Sequence, residues 1–254
     1  MNRRTTCQGL AAALAPFTLL LGGCSADAPT AAATTTAGAS SSTSSSSSSS
    51  APVSPDSFTP IPTEGAGPIP AGKVGMTANG RPDAPWAVLS VPKGWGTIGG
   101  WSISNENPGG EGVVGYWTID NVYQDPCEQG ENSGPTRIPA GSTVESLAAA
   151  FKQQRLSRVT APVPITVGGY RGLSLELHAP QDLDVTTCPR YRVWEWTTAG
   201  ERHMEDAGAF DRLHILDVGG KVVVLSIPAP ADTPKAVVDR IGRLLESVEF
   251  VPRS

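Results

Sequence analysis

Two glycine pairs, Gly168-Gly169 and Gly219-Gly220, each stand between two runs of apolar residues, and this repeated arrangement limits what the chain can become. A two-residue connection in which both residues take positive φ is the tight turn of a β-hairpin, and glycine enters that conformation without steric cost. The flanking runs are therefore expected to pair antiparallel, 165–167 with 170–179 and 211–218 with 221–227. In the first hairpin Leu173, Leu175 and Leu177 alternate with Ser174, Glu176 and His178, so one face is buried and the other wet. The return arm of the second, 222–227, is apolar on both faces and belongs inside a sheet.

Further strands are expected at 86–91, 113–123, 190–197 and 248–251, each a β-branched or aromatic run bounded by turn residues. Two helices complete the pattern. Ser142 and Glu145 have the spacing of a capping box, followed by Val144, Leu147, Ala148 and Phe151 on one stripe. Thr233-Pro234 supplies an N-cap and a first-turn proline ahead of Val237, Val238, Ile241, Leu244, Leu245 and Val248. The expected fold class is α+β, an antiparallel sheet with two packed α-helices.

This fold occupies only part of the 254 residues. Between 25 and 72 there is no Lys or Arg, and positions 40–50 are Ser throughout except Thr43. Such a stretch cannot bury enough apolar surface to offset its ordering entropy, so 24–72 is expected to be a disordered linker, stiffened by proline from 52 to 70. The remaining 182 residues, 73–254, carry 17 basic and 21 acidic side chains. A balanced domain of that kind lacks the basic face that neutralises phosphates, which argues against a nucleic-acid partner.

Ahead of the linker, residues 1–23 have the build of a secretory signal: Arg3 and Arg4, then the apolar run 10–21, too short to span a bilayer. The segment ends Leu21-Gly22-Gly23-Cys24, which resembles the bacterial lipobox. That resemblance implies cleavage before Cys24, a diacylglycerol thioether on its sulfur, acylation of the new amino terminus, and thus a membrane anchor on the outer face. The alternative is an ordinary signal peptide or an N-terminal anchor.

In an exported chain, Cys127 and Cys188 are expected to form a disulfide, the alternative being two free thiols. There is no Cys-x-x-Cys, so no redox role is expected. His178, His203 and His214 lack the spacing of zinc ligands, and no metal or cofactor is expected. No Gly-x-Ser-x-Gly elbow occurs, and Gly94 to Gly100 is followed by no Lys-Ser/Thr, so neither a hydrolase nucleophile nor a phosphate loop is signalled; no catalytic residue is assigned. All six tryptophans fall within 73–254. Trp194 and Trp196 share one strand face by alternation, with Arg192 beside them, and together with Trp101 they make a possible binding surface. The competing reading places these indoles in the core. The long loops 105–112 and 128–140 are the segments best placed for recognition.

Val91-Pro92-Lys93-Gly94-Trp95 is similar to the element that follows the first strand in Mog1/PsbP-like domains, and the ending Leu244-Leu245-Glu246-Ser247-Val248-Glu249-Phe250 resembles theirs. Val167-Gly168-Gly169-Tyr170-Arg171-Gly172 is similar to an element common in actinobacterial lipoproteins of this kind. The resemblance covers 85–251 and implies a Mog1/PsbP-like domain in an actinobacterial-type cell-envelope lipoprotein. By that resemblance the chain is a non-enzymatic binding or protein-interaction module at the envelope, with an envelope protein or lipid as ligand. The alternative is a carrier or sensor of a hydrophobic small molecule. An envelope hydrolase ranks below both.

Overall fold

Both glycine pairs turn as expected. In the computed structural model φ is 57° and 82° at Gly168 and Gly169, and 63° and 83° at Gly219 and Gly220. Each pair closes a two-residue hairpin, with Val167 opposite Tyr170 and Val218 opposite Lys221. The structure describes residues 57–253, apart from 80, 82, 106–111, 129–135, 185 and 197–199. The signal segment, Cys24 and the linker up to 56 lie outside the described residues.

The strands form three sheets. One has the order β1 (Thr59–Pro60), β3 (Gly72–Met76), β4 (Trp86–Val91) and β17 (Glu249–Val251), with β1 parallel to β3. The largest runs β10 (Arg158–Val159), β12 (Tyr170–His178), β15 (Phe210–Val218), β16 (Lys221–Ala229), β7 (Gly112–Trp117), β6 (Ser102–Asn105), β5 (Gly96–Ile98) and β2 (Ala66–Pro68), and β11 (Val163–Val167) pairs beside β12. The third has the order β14 (Gly200–Met204), β13 (Tyr191–Trp196), β8 (Asn121–Tyr123) and β9 (Arg137–Pro139).

The two-helix α+β packing is corrected by this arrangement. The described residues are 47% strand and 12% helix, a β-rich fold. The two helices, α1 (Val144–Gln153) and α2 (Lys235–Leu245), lie on opposite faces of the large sheet, and each face is also covered by a smaller sheet. Strands β2, β5 and β6 come from Gly-, Pro- and Ser-containing segments with little strand propensity; pairing with neighbours overrides it. The boundary at residue 72 also moves. Phe58, Ile61 and Ile69 are buried, so the folded unit begins before the expected end of the linker.

Alternation along the large sheet produces two cores. Leu216, Val218, Val223, Leu225 and Ile227 point to α2 and the sheet of β3 and β4, joining Met76, Leu89, Val238, Ile241 and Leu245. Leu213, Ile215, Val224, Leu175 and Leu177 point to α1 and the sheet of β8 and β13, joining Leu147, Phe151, Tyr191 and Trp194. Each fully buried Leu or Ile contributes on the order of 1.5–3 kcal/mol.

Some local signals shift by a residue or more. The capping box of α1 is made by Thr143 and Ser146: Ser146 N donates to Thr143 Oγ1 at 3.1 Å, and Thr143 N donates to Ser146 Oγ at 3.0 Å. The N-cap of α2 is Pro234, which has no side-chain cap. The expected strand 113–123 breaks after Trp117, where the chain crosses from one sheet to another. Buried Asn79 holds that corner, donating to Thr118 O at 2.9 Å and accepting from Thr118 N and Oγ1 at 3.2 and 2.9 Å. No helix among the described residues is long and apolar enough to cross a membrane.

Candidate functional site

Four of the six tryptophans gather on the α1 side. Trp117, the last residue of β7, sits at the centre, with ring centroids 4.5 Å from Trp101, 5.1 Å from Trp196 and 5.5 Å edge-on from Trp194. Phe151 of α1 meets Trp194 edge-on at 5.8 Å. Tilted and edge-on pairs at these separations are the favourable aromatic geometries. A glycine seats Trp117: a Cβ on Gly115 would lie 2.4 Å from the Trp117 Nε1, which reaches back over the strand to donate to buried Ser226 Oγ at 2.7 Å.

The predicted surface of Trp101, Trp194, Trp196 and Arg192 is not assembled as such. Trp194 is fully buried, and its Nε1 has no hydrogen-bond partner among the described residues. Trp101 and Trp196 are partly exposed. Arg192 lies on the other face of β13 because the strand carries a bulge: Arg192 pairs with His203 and Trp194 with Arg202, leaving Val193 as the extra residue. An inserted residue reverses the alternation beyond it, and Arg192 turns outward.

On that outer face Arg192 and Arg137 lie over the Tyr123 ring at 5.8 and 5.9 Å from its centroid. Tyr123 Oη is 3.0 Å from Glu195 Oε2 and 3.1 Å from Glu201 Oε2. Arg137 Nε meets Glu195 at 2.6 Å, and Arg192 Nε meets Glu201 at 3.4 Å. Burial, then the two carboxylates, push the Tyr123 hydroxyl above its ordinary range. These charges pair with one another across the outer face, although the buried Arg192 Nε makes no hydrogen bond among the described residues.

The disulfide joins this sheet to its flank. Cys127 and Cys188 are bonded with Cα atoms 5.0 Å apart, closing a span of 61 residues. Arg192 N also donates to Pro126 O at 3.0 Å, so the bond and the backbone hold the same corner. The histidines are scattered. His178 stacks on Phe210 with centroids 5.1 Å apart, His203 meets Glu205 at 3.3 Å, and His214 is on β15 opposite Ser174. Among the described residues no three His, Cys, Asp or Glu side chains form a group that could hold a metal ion.

Two open hollows border the end of the β16–β7 ladder. On the tryptophan side, Trp101, Trp117, Met204 and Pro228 line a hollow of about 530 Å³. On the α2 side, Ile227, Val237, Val238 and Ile241 line one of about 490 Å³. Val113, Pro228, Ala229 and Pro230 border both. Beside the first, Arg202 is gripped by fully buried Asp211 through bonds of 2.9 and 3.1 Å. Sequence reasoning ends the strand at 227 and so overlooks Pro228, although a proline inside an apolar run is itself a signal of an edge or an opening. The parts of the recognition loops at 106–111 and 129–135 lie outside the described residues.

No protein-family profile and no curated protein matches the chain. Among solved structures it is similar to LpqN, involved in cell envelope biogenesis of Mycobacterium tuberculosis, at 14% identity over 74% of this chain and 91% of that one, with a TM-score of 0.35.

Proposed function

We propose that the chain is a lipid-anchored, extracytoplasmic and non-catalytic binding module, attached to the outer face of the cell membrane through Cys24 and receiving an apolar partner beside the tryptophan cluster. The observation that carries this reading is the open hollow whose wall is Trp101 and Trp117, an apolar recess bordered by a few charged groups, in the size range of ligand sites. The lipobox-like ending at Cys24 and the serine-rich stretch without Lys or Arg after it support the anchor. Arg202, the cation at this hollow, is engaged by Asp211, which favours binding over proton transfer.

Two measurements test the proposal. Cys24→Ala should release the protein from membranes or leave uncleaved precursor; retention with normal processing overturns the anchor. Cross-linking in intact cells should capture a partner that Trp101→Ala loses; capture unaffected by Trp101→Ala moves the site elsewhere. A second reading, a carrier of a hydrophobic small molecule, is favoured by the aliphatic walls of the α2-side hollow. Mass spectrometry of an organic extract of the purified protein decides it, since a carrier releases a stoichiometric lipid.

A further inference from the structure

The end of the large sheet beyond β12 differs in charge from the rest of the chain. Residues 146–175 include four basic residues, Lys152, Arg155, Arg158 and Arg171, and no acid, in a sequence whose net charge is −5. All four are exposed, and none forms an ion pair among the described residues. Acids close by in the chain are engaged elsewhere: Asp125 Oδ1 accepts from Cys127 N at 3.0 Å, and Glu176 Oε1 accepts from Arg212 at 3.0 Å.

The same edge shows apolar surface. Leu156 is 56% and Val163 58% exposed, two of the three large hydrophobic residues left open among the described residues. They belong to the run that leaves α1 and then lies along β12, with Arg158 opposite His178 and Val163 opposite Ser174. Leu156 is also held against its own preference. Its φ is 65°, a left-handed conformation that a bulky side chain rarely adopts and that glycine takes freely. Bonds on both sides fix the turn: Gln154 Nε2 donates to Tyr123 O at 3.0 Å and to Val193 O at 2.9 Å, Arg155 N donates to Gln124 O at 2.7 Å, and Ser157 Oγ lies 2.6 Å from Tyr191 Oη. Neither backbone nor core requires a leucine at 156, and a strained residue kept in place by its surroundings points to a use outside the fold.

Unpaired cations around exposed aliphatic side chains fit an anionic lipid surface, where the charges meet headgroup phosphates and the apolar groups enter the boundary beneath them. A partner strand fits worse. Pro162 and Pro164 on this edge have no N–H, and prolines on an edge guard against pairing with another chain. The tether favours the bilayer as well. Thirty-two residues separate Cys24 from Ser57 and span at most about 110 Å when fully extended. An anchor at Cys24 thus keeps the folded unit beside the membrane, where a contact too weak for a free protein becomes effective.

We propose that this edge, residues 152–166, is a membrane-docking face that lays the folded unit on anionic phospholipid, with Arg155 and Arg158 at headgroup phosphates and Leu156 and Val163 in the interface. It rests on the anchor at Cys24 given above and adds a second contact to it.

The test uses the full chain, taken from membranes into vesicles of equimolar phosphatidylglycerol and phosphatidylcholine, with its intact mass reporting the lipid on Cys24. A bimane label on Gln153→Cys is compared with one on Lys93→Cys, beside β2 at the other end of the large sheet, and a lipid with a nitroxide on its headgroup is the quencher. Quenching at Gln153→Cys should exceed that at Lys93→Cys by about threefold, and the excess should vanish in pure phosphatidylcholine, in about 1 M salt and with Arg155→Glu plus Arg158→Glu. Leu156→Gly relieves the left-handed strain, so it should halve the excess while the unfolding temperature holds or rises. Equal quenching of the two labels on a lipidated chain overturns the docking face and leaves the anchor standing. An excess that survives the double Glu variant overturns it too. A chain without lipid on Cys24 removes the anchor, and the face is then judged by pelleting: pelleting with the mixed vesicles alone upholds it, and any other pattern overturns it. Protection of Arg155 and Arg158 from phenylglyoxal in native membranes, without excess quenching in vesicles, assigns the edge to an acidic protein and ends the proposal.

Discussion

The two faces of the central sheet are built on different principles. The α2 face is closed largely by aliphatic side chains and by a sheet that joins the two ends of the folded unit, β1 and β17. The α1 face is aromatic at its centre, with one indole in contact with three others, and its covering sheet is tied by a disulfide. Aliphatic cores tolerate small repacking because their members are interchangeable in shape. An indole cluster seated on glycine and serine has fewer alternatives, so the same alteration costs more on the α1 face. The contrast also bears on the proposed site: the hollow walled by Trp101 and Trp117 opens on the aromatic face.

The largest effect should come from the rigid face. Trp194→Ala removes the most deeply buried indole and should cost about 3–5 kcal/mol, whereas Val223→Ala on the α2 face removes far less side chain and should cost clearly less. Urea unfolding of both variants compares them, and equal losses would erase the distinction between the faces. Next comes the covalent tie. Cys127→Ser with Cys188→Ser should lower stability by about 2–4 kcal/mol through the 61-residue span. Hydrogen exchange should show the loss concentrated in β8 and β13, and uniform loosening would contradict the assignment.

Acid probes the other face. Burial first, and the Arg212 guanidinium second, hold His214 down to about 4. A histidine whose pKa is lower in the folded than in the unfolded chain is protonated first on unfolding. Its contribution is intact above pH 6.5 and is lost as the pH falls from there toward 4, at up to about 1.4 kcal/mol per pH unit. His178, also held low by burial, acts in the same sense, so the measure is the change in slope caused by His214→Phe. An unaltered slope between pH 7 and 5 would remove His214 from this account. The smallest contrast is at the helix starts. Thr143→Ala should cost about 1 kcal/mol, while Thr233→Ala beside the uncapped start of α2 should stay within about 0.5 kcal/mol of zero; thermal melts resolve the pair.

The parts of the fold legible in the sequence are those carried by local pattern. The glycine pairs announce both hairpins, the spacing of Leu147 and Phe151 or Val238 and Ile241 announces both helices, and the expectation of export suffices to pair Cys127 with Cys188. Strands such as Gly96–Ile98 and Ala66–Pro68 have no pattern of their own and exist because a neighbour pairs with them, so the sheet content is underread. The site is half legible. Aromatic content points to Trp101 and Trp196, but a single bulge at Val193 moves Arg192 to the opposite face, and nothing in the alternation reveals it. Pro228 is visible as a residue; that the ladder with β7 ends just before it requires the register.

One small contact at the margin of the fold has a mechanical consequence. Phe58 packs on Gly75, where a Cβ would be 2.3 Å from its ring, and meets Trp86 at 5.5 Å; from the far end of the chain, the Arg253 guanidinium lies 3.7 Å over the same Trp86. Both ends of the folded unit are fastened to one indole. A pull arriving along the residues ahead of Ser57 loads that clasp before it reaches the large sheet. The unit would hang from a single point of suspension, its two ends together.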